Sequence, residues 1–173
     1  TGRYNKNRPF YTTISPSMDI LVSSNLERLL FTVSQNDELV SDLMKQLFSE
    51  GSYQVDDAII SSIREDFRSG CCDDTETKEM IRKSYQDEDY LIDTHTAVAF
   101  RVLEQYRTEN ATVPTVVLST ASPYKFCDSV LSALGKNVDN CLGAELINAL
   151  NETTGVKAPE PLKDLDKREV RFT

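Results

Sequence analysis

Residues 113–126 read Val-Pro-Thr-Val-Val-Leu-Ser-Thr-Ala-Ser-Pro-Tyr-Lys-Phe. Thr115-Val116-Val117-Leu118 is a short, uncharged, β-branched run, and the pattern predicts a strand buried on both faces. It ends in two hydroxyls, Ser119 and Thr120. Ser122-Pro123 then supplies an N-cap and a first-turn proline, so a helix is predicted from Ser122 to Leu134. In an open α/β sheet, ligands are held at the carboxyl end of a central strand, where hydroxyls can donate or accept a hydrogen bond without carrying charge. The alternative is that these hydroxyls serve only the turn.

Working outward, the chain is dominated by helical patterning. The spacing predicts a helix over Pro16–Val33, with Met18, Leu21, Val22, Leu26, Leu29, Leu30 and Val33 on one face. Further helices are expected at Asp37–Ser49, ended by Gly51, from Asp56 to Gly70, and at Thr75–Gln86. Glu88–Ile92 reads as extended, and Asp93-Thr94 caps a long helix bearing Ala97, Val98, Phe100, Val102, Leu103 and Tyr106. A last helix is expected at Ala144–Asn151, followed by a Pro-rich linker and a short strand at Glu169–Phe172. The first fifteen residues read as a loop with at most a short strand. The fold class is therefore α/β and helix-rich, with an incomplete parallel sheet: a helix–strand–helix unit normally needs parallel neighbours, and few strands are on offer.

Composition narrows the function. The 173 residues suffice for one compact body with a core, and 39% hydrophobic with 27% charged residues is an ordinary globular balance. A net charge of −9 with no basic stripe argues against nucleic acid. No apolar run approaches the ~20 residues a membrane span requires. Cys71, Cys72, Cys127 and Cys141 lack metal-type spacing with the single His95, so no zinc site is expected and reduced thiols of a cytoplasmic protein are the default. Asn-x-Thr matches at Asn110 and Asn151 carry little weight without a signal peptide.

Three islands carry a resemblance. The first runs Asn7-Arg8-Pro9-Phe10 through Ser15-Pro16-Ser17-Met18-Asp19-Ile20 to Ser23-Ser24-Asn25-Leu26-Glu27-Arg28. The second is Asp93-Thr94-His95-Thr96-Ala97-Val98-Ala99, and the third is Leu118–Phe126. In order and separation they resemble threonine synthases, pyridoxal-phosphate enzymes of fold-type II (the tryptophan-synthase-like group). Thr94 and Ser122 depart from the family pattern, where Pro and His are frequent; neither change removes a helix cap.

The resemblance implies conversion of O-phosphohomoserine and water into threonine and phosphate, with pyridoxal 5'-phosphate as cofactor. It also implies that the chain, which starts at Thr1-Gly2, is the C-terminal part of the catalytic domain. The Schiff-base lysine and the phosphate-cradling loop would then lie upstream, so this piece alone should be inactive and should not bind the cofactor. In this fold type a hydroxyl faces the pyridine nitrogen, which points to Thr120 first and Ser119 second.

Ser15, Ser17, Asn25 and Arg28 lie at or near a helix N-terminus, which favours anions, and could line the substrate pocket or hold its phosphate. Equally, the serines could merely cap and Arg28 pair with a neighbour. Asp93 and His95 read as an N-cap and a polar first-turn residue, or as active-site groups. Lys125 reads as serving the fold or the active-site rim, not as the Schiff-base lysine. The alternatives to a synthase are a related fold-type II threonine or serine dehydratase, and a non-catalytic helical interaction module. Exposed strand edges would favour association between copies.

Overall fold

The computed structural model describes residues 1–107, 114–162, 167 and 169. The chain divides into two compact units, Thr1–Thr12 with Pro16–Ser69, and Thr13–Ser15 with Gly70–Thr173, where composition suggested one body.

In the first unit, β1 (Arg3–Asn5) pairs antiparallel with a later strand and a 3-10 turn covers Pro16–Met18. Helix α1 spans Asn25–Ser34, α2 Asp37–Glu50, the partner strand β2 Ser52–Gln54, and α3 Asp57–Asp66. The first predicted helix thus begins nine residues later than its apolar spacing suggests. The reason is tertiary. The Tyr4 hydroxyl accepts from the Ser23 backbone N–H at 2.7 Å and donates to the Leu21 carbonyl at 3.2 Å. Arg8 Nη2 donates to the Ile20 carbonyl at 3.1 Å. These bonds occupy backbone groups that a continuous helix would pair internally.

The caps of α2 and α3 follow the sequence closely. Asn36 Oδ1 accepts from Leu39 N–H at 2.9 Å, and Asp56 Oδ1 from Ile59 N–H at 2.8 Å. Gly51 ends α2 at φ +80°, and an added Cβ there would lie 2.1 Å from the Asn7 amide. Helix α3 stops at Asp66, short of Gly70, because Phe67 turns extended. Tyr4 stacks on its cross-strand partner Tyr53 at 5.4 Å, over a core of Leu30, Leu43, Leu47, Tyr53, Val55 and Ile59.

Among the described residues, the regular structure of the second unit is all helical. Helix α4 spans Asp74–Glu88, opened by a capping box in which Asp73 Oδ1 accepts from Glu76 N–H at 2.9 Å and Glu76 Oε2 from Asp73 N–H at 3.2 Å. Asp89, left-handed at φ 51°, ends it where the sequence suggested an extended piece. Helix α5 (Thr94–Arg107) packs on α4, and α6 (Cys127–Ala133) and α7 (Ala144–Thr154) close the unit. Ile81, Ile92, Ala97, Val130, Leu131, Ala133 and Leu150 are its most buried apolar groups. The predicted helix from Ser122 resolves into a 3-10 turn, Pro123–Lys125, and then α6.

The expected two-faced burial of the 115–118 strand is not found. Residues 114–120 carry no regular structure, and Val116 and Leu118 are 84% and 76% exposed. Among the described residues nothing pairs with this segment as a strand, so no sheet covers its faces. The strand expected at Glu169–Phe172 and the Asn110 site lie largely outside the described residues.

Candidate functional site

The start of α5 is a buried polar knot. Asp93, Thr94, His95 and Thr96 are all buried although every one of them is polar. Such groups persist inside a fold only when paired. Asp93 Oδ1 accepts from the backbone N–H of His95 at 2.8 Å and of Thr96 at 3.3 Å, so Asp93 does cap the helix as its position predicts. Asp93 Oδ2 accepts in addition from Thr96 Oγ1. Thr96 Oγ1 also reaches Ser119 Oγ at 3.2 Å.

His95 is held from two sides. Its Nδ1 lies 2.6 Å from Ser15 Oγ and 3.3 Å from Thr94 Oγ1. Its ring meets Phe126 with centroids 4.8 Å apart and a 47° tilt. Nε2 is buried with no hydrogen-bond partner among the described residues. A buried donor or acceptor left unpaired costs ~1–3 kcal/mol.

The candidate residues therefore separate. Ser15 and Ser119 join the knot. Ser15 is 1% exposed, with its hydroxyl 2.6 Å from His95 Nδ1. Thr120 is exposed one residue beyond Ser119. Ser17, Asn25 and Arg28 belong to the first unit and are exposed, with Arg28 Nη2 donating to Asn25 Oδ1, the neighbour pairing that sequence left as an alternative. Sequence reasoning did not single out Thr96. The available signal was four consecutive polar residues, Asp-Thr-His-Thr, opening a helix whose next residue, Ala97, is core.

No helix among the described residues is long and apolar enough to cross a membrane. Cys71 is exposed, Cys127 buried and all four thiols free. Burial, with Asp128 adding to it, pushes the Cys127 thiol up to about 11.

Residues from the three islands, Ser15, Asp93–Thr96, Ser119 and Phe126, thus meet around one imidazole. The chain matches a solved structure of pyridoxal-phosphate-bound threonine synthase from Brucella melitensis with a TM-score of 0.81 and 34% identity, covering 100% of this chain and 33% of that one. The fold is accordingly that of part of a fold-type II pyridoxal-phosphate enzyme. Residues 96–173 match the family model described as "Threonine synthase, C-terminal". Threonine synthase of Saccharomyces cerevisiae is 35% identical over 150 residues, covering 78% of this chain and 29% of its own length. Threonine synthase-like 1 of Macaca fascicularis is 37% identical over 136 residues, covering 78% of this chain and 18% of its own. The chain belongs to the threonine synthase family. It spans between about a fifth and a third of the length of these relatives.

Proposed function

We propose that the protein carrying this chain is a pyridoxal-phosphate enzyme that converts O-phosphohomoserine and water into threonine and phosphate. The observation that carries the reading is the convergence of the three family-like segments on His95, which sets the Ser119-Thr120 hydroxyls at the exposed end of residues 114–120. Two uncharged hydroxyls over a buried polar knot suit a heteroaromatic nitrogen, which needs one hydrogen bond and no counter-charge. Bound pyridoxal phosphate supplies the electron sink for proton removal from the substrate.

The chain's own residues then divide the work. Ser119 or Thr120 meets the ring nitrogen, and a hydroxyl there, unlike a carboxylate, does not favour a charged ring. Ser15 holds the His95 imidazole through Nδ1. The remaining groups, including a lysine to move protons, would come from parts of the protein outside this chain.

The test is made on the full-length protein supplied with pyridoxal phosphate and O-phosphohomoserine. Equal amounts of phosphate and threonine are expected. Deamination of threonine without phosphate release would instead assign a dehydratase, and failure to take up the cofactor at all would favour an interaction module.

A further inference from the structure

Tyr4 and Tyr53 stack across the two short strands, yet their hydroxyls fare differently. The Tyr4 hydroxyl is spent on Ser23 and Leu21. Tyr53 is only 5% exposed, and its hydroxyl bonds to no described residue. A buried hydroxyl is normally paired, because leaving one unpaired costs free energy. Burial foremost, then the neighbouring Tyr4 and Glu27, pushes this hydroxyl up to about 12, so it keeps its proton near neutral pH. Tyr53 lines a groove of the first unit, about 340 Å³ in volume and walled by Val22, Met44 and Phe48. Phe48 and Val22 are 86% and 51% exposed, apolar surface that a ligand could take out of water.

The groove also carries charge. Lys6 and Glu27 line it, and neither forms an ion pair with a described residue. Lys6 Nζ donates to the Phe48 carbonyl at 3.1 Å and lies 5.5 Å from that ring's centroid, which holds the ammonium at the groove with donors to spare. A ligand with a single charge would be attracted by one of these residues and repelled by the other. One bearing both charges is matched at both. The volume lies at the low end for small-molecule sites, which suits one compact molecule and not a peptide. We propose that this groove binds one small zwitterion with an apolar chain, an α-amino acid of the leucine or phenylalanine kind. Its ammonium meets Glu27 and the Tyr53 hydroxyl, its carboxylate meets Lys6, and its chain lies against Val22, Met44 and Phe48. The site lies wholly in the first unit and stands without the pyridoxal-phosphate reading.

Saturation-transfer NMR titrations of the full-length protein with L-leucine test this, beside two analogues that each lack one charge, 4-methylpentanoate and 3-methylbutylamine. L-Leucine should bind saturably at about 1 mM or tighter, and each analogue at least about tenfold more weakly. Glu27→Gln, at an exposed position, should cost L-leucine about tenfold while leaving 4-methylpentanoate no weaker, because that acid loses a repulsion. Lys6→Gln should likewise cost L-leucine about tenfold and leave 3-methylbutylamine no weaker. Tyr53→Phe, which keeps the ring stack, should cost about fivefold or more. The Glu27 variant carries the test if Tyr53→Phe does not fold. No saturable binding of L-leucine up to about 10 mM would overturn the proposal, as would analogues that bind as L-leucine does. So would undiminished binding by both charge variants, which would place the amino acid elsewhere on the protein.

Discussion

Ser15 Oγ and His95 Nδ1 lie 2.6 Å apart, joining residues eighty positions distant. Ser15 is 1% exposed and His95 6%. The neighbouring Ile14 N–H donates to Asp74 Oδ1 at 3.0 Å, so residues 13–15 are fastened to the second unit while the sequence on both sides of them belongs to the first. Ser15→Ala removes the closest partner of a buried ring nitrogen whose other nitrogen has none among the described residues. We expect it to destabilise the second unit by ~1–2 kcal/mol in denaturant unfolding. A loss below ~0.5 kcal/mol would mean that Thr94, at 3.3 Å, suffices for the imidazole.

The core of the second unit gives a contrast between two leucines. Leu131 on α6 is 1% exposed, whereas Leu142, in the turn before α7, is 79% exposed. Leu131→Ala should cost ~2–5 kcal/mol through lost transfer energy and a cavity, and Leu142→Ala under ~0.5 kcal/mol. Thermal or urea melts of the two variants side by side check this. Comparable losses would contradict the placement of α6 at the centre of the core.

Much of the fold was legible because its signals are local. Asn36 and Gly51 bracket α2, Asp56 opens α3, Asp93 caps α5 and Ser122-Pro123 starts a turn, each within a few residues of where the spacing places it. What the sequence concealed depends on distant partners. The late start of α1 comes from the Tyr4 hydroxyl, and the pairing of β1 with β2 joins segments some fifty residues apart. The exposure of Val116 and Leu118 has the same origin, since a β-branched run states a preference for burial but cannot supply the neighbours. The site divides likewise. Ser119 and Thr120 stand out in the sequence as adjacent hydroxyls, but the link from Asp93 through Thr96 to Ser119 exists only in three dimensions.

The cysteines should report on burial. Cys127 is buried, its Sγ donates to the Tyr124 carbonyl at 3.2 Å, and burial raises its thiol to about 11. Cys71 is exposed. Iodoacetamide at pH 8 should modify Cys71 in the native protein and reach Cys127 only in denaturant, as read by peptide mass spectrometry. The sign of the accompanying pH effect is fixed. The folded thiol holds its proton above the ordinary value of 9.0, so this contribution to stability is complete below pH ~9 and fades as pH rises toward 11. Native labelling of Cys127 at the Cys71 rate would show that α6 is not packed as described.

Glu104 offers the opposite sign. On α5 it accepts from Lys83 Nζ on α4 at 2.6 Å and from Arg101 Nη1 at 3.2 Å, while Arg101 Nη2 also meets Glu76 on α4 at 2.8 Å. The Lys83 hydrogen bond foremost, then the Arg101 guanidinium, holds the Glu104 carboxyl below its ordinary value of 4.5 against an opposing desolvation. A carboxylate lowered on folding stabilises above the unfolded value and loses that stabilisation as pH falls through the folded one. The side chain is 36% exposed, so water screens the pair and ~0.5–1 kcal/mol is the scale to expect. Glu104→Gln should therefore melt below the parent at pH 6.5, with the gap narrowing as pH falls below ~4.5 and as salt is raised. A gap that held its size at pH 3 and in 1 M salt would show that Glu104 acts through packing of its stem, and not through its charge.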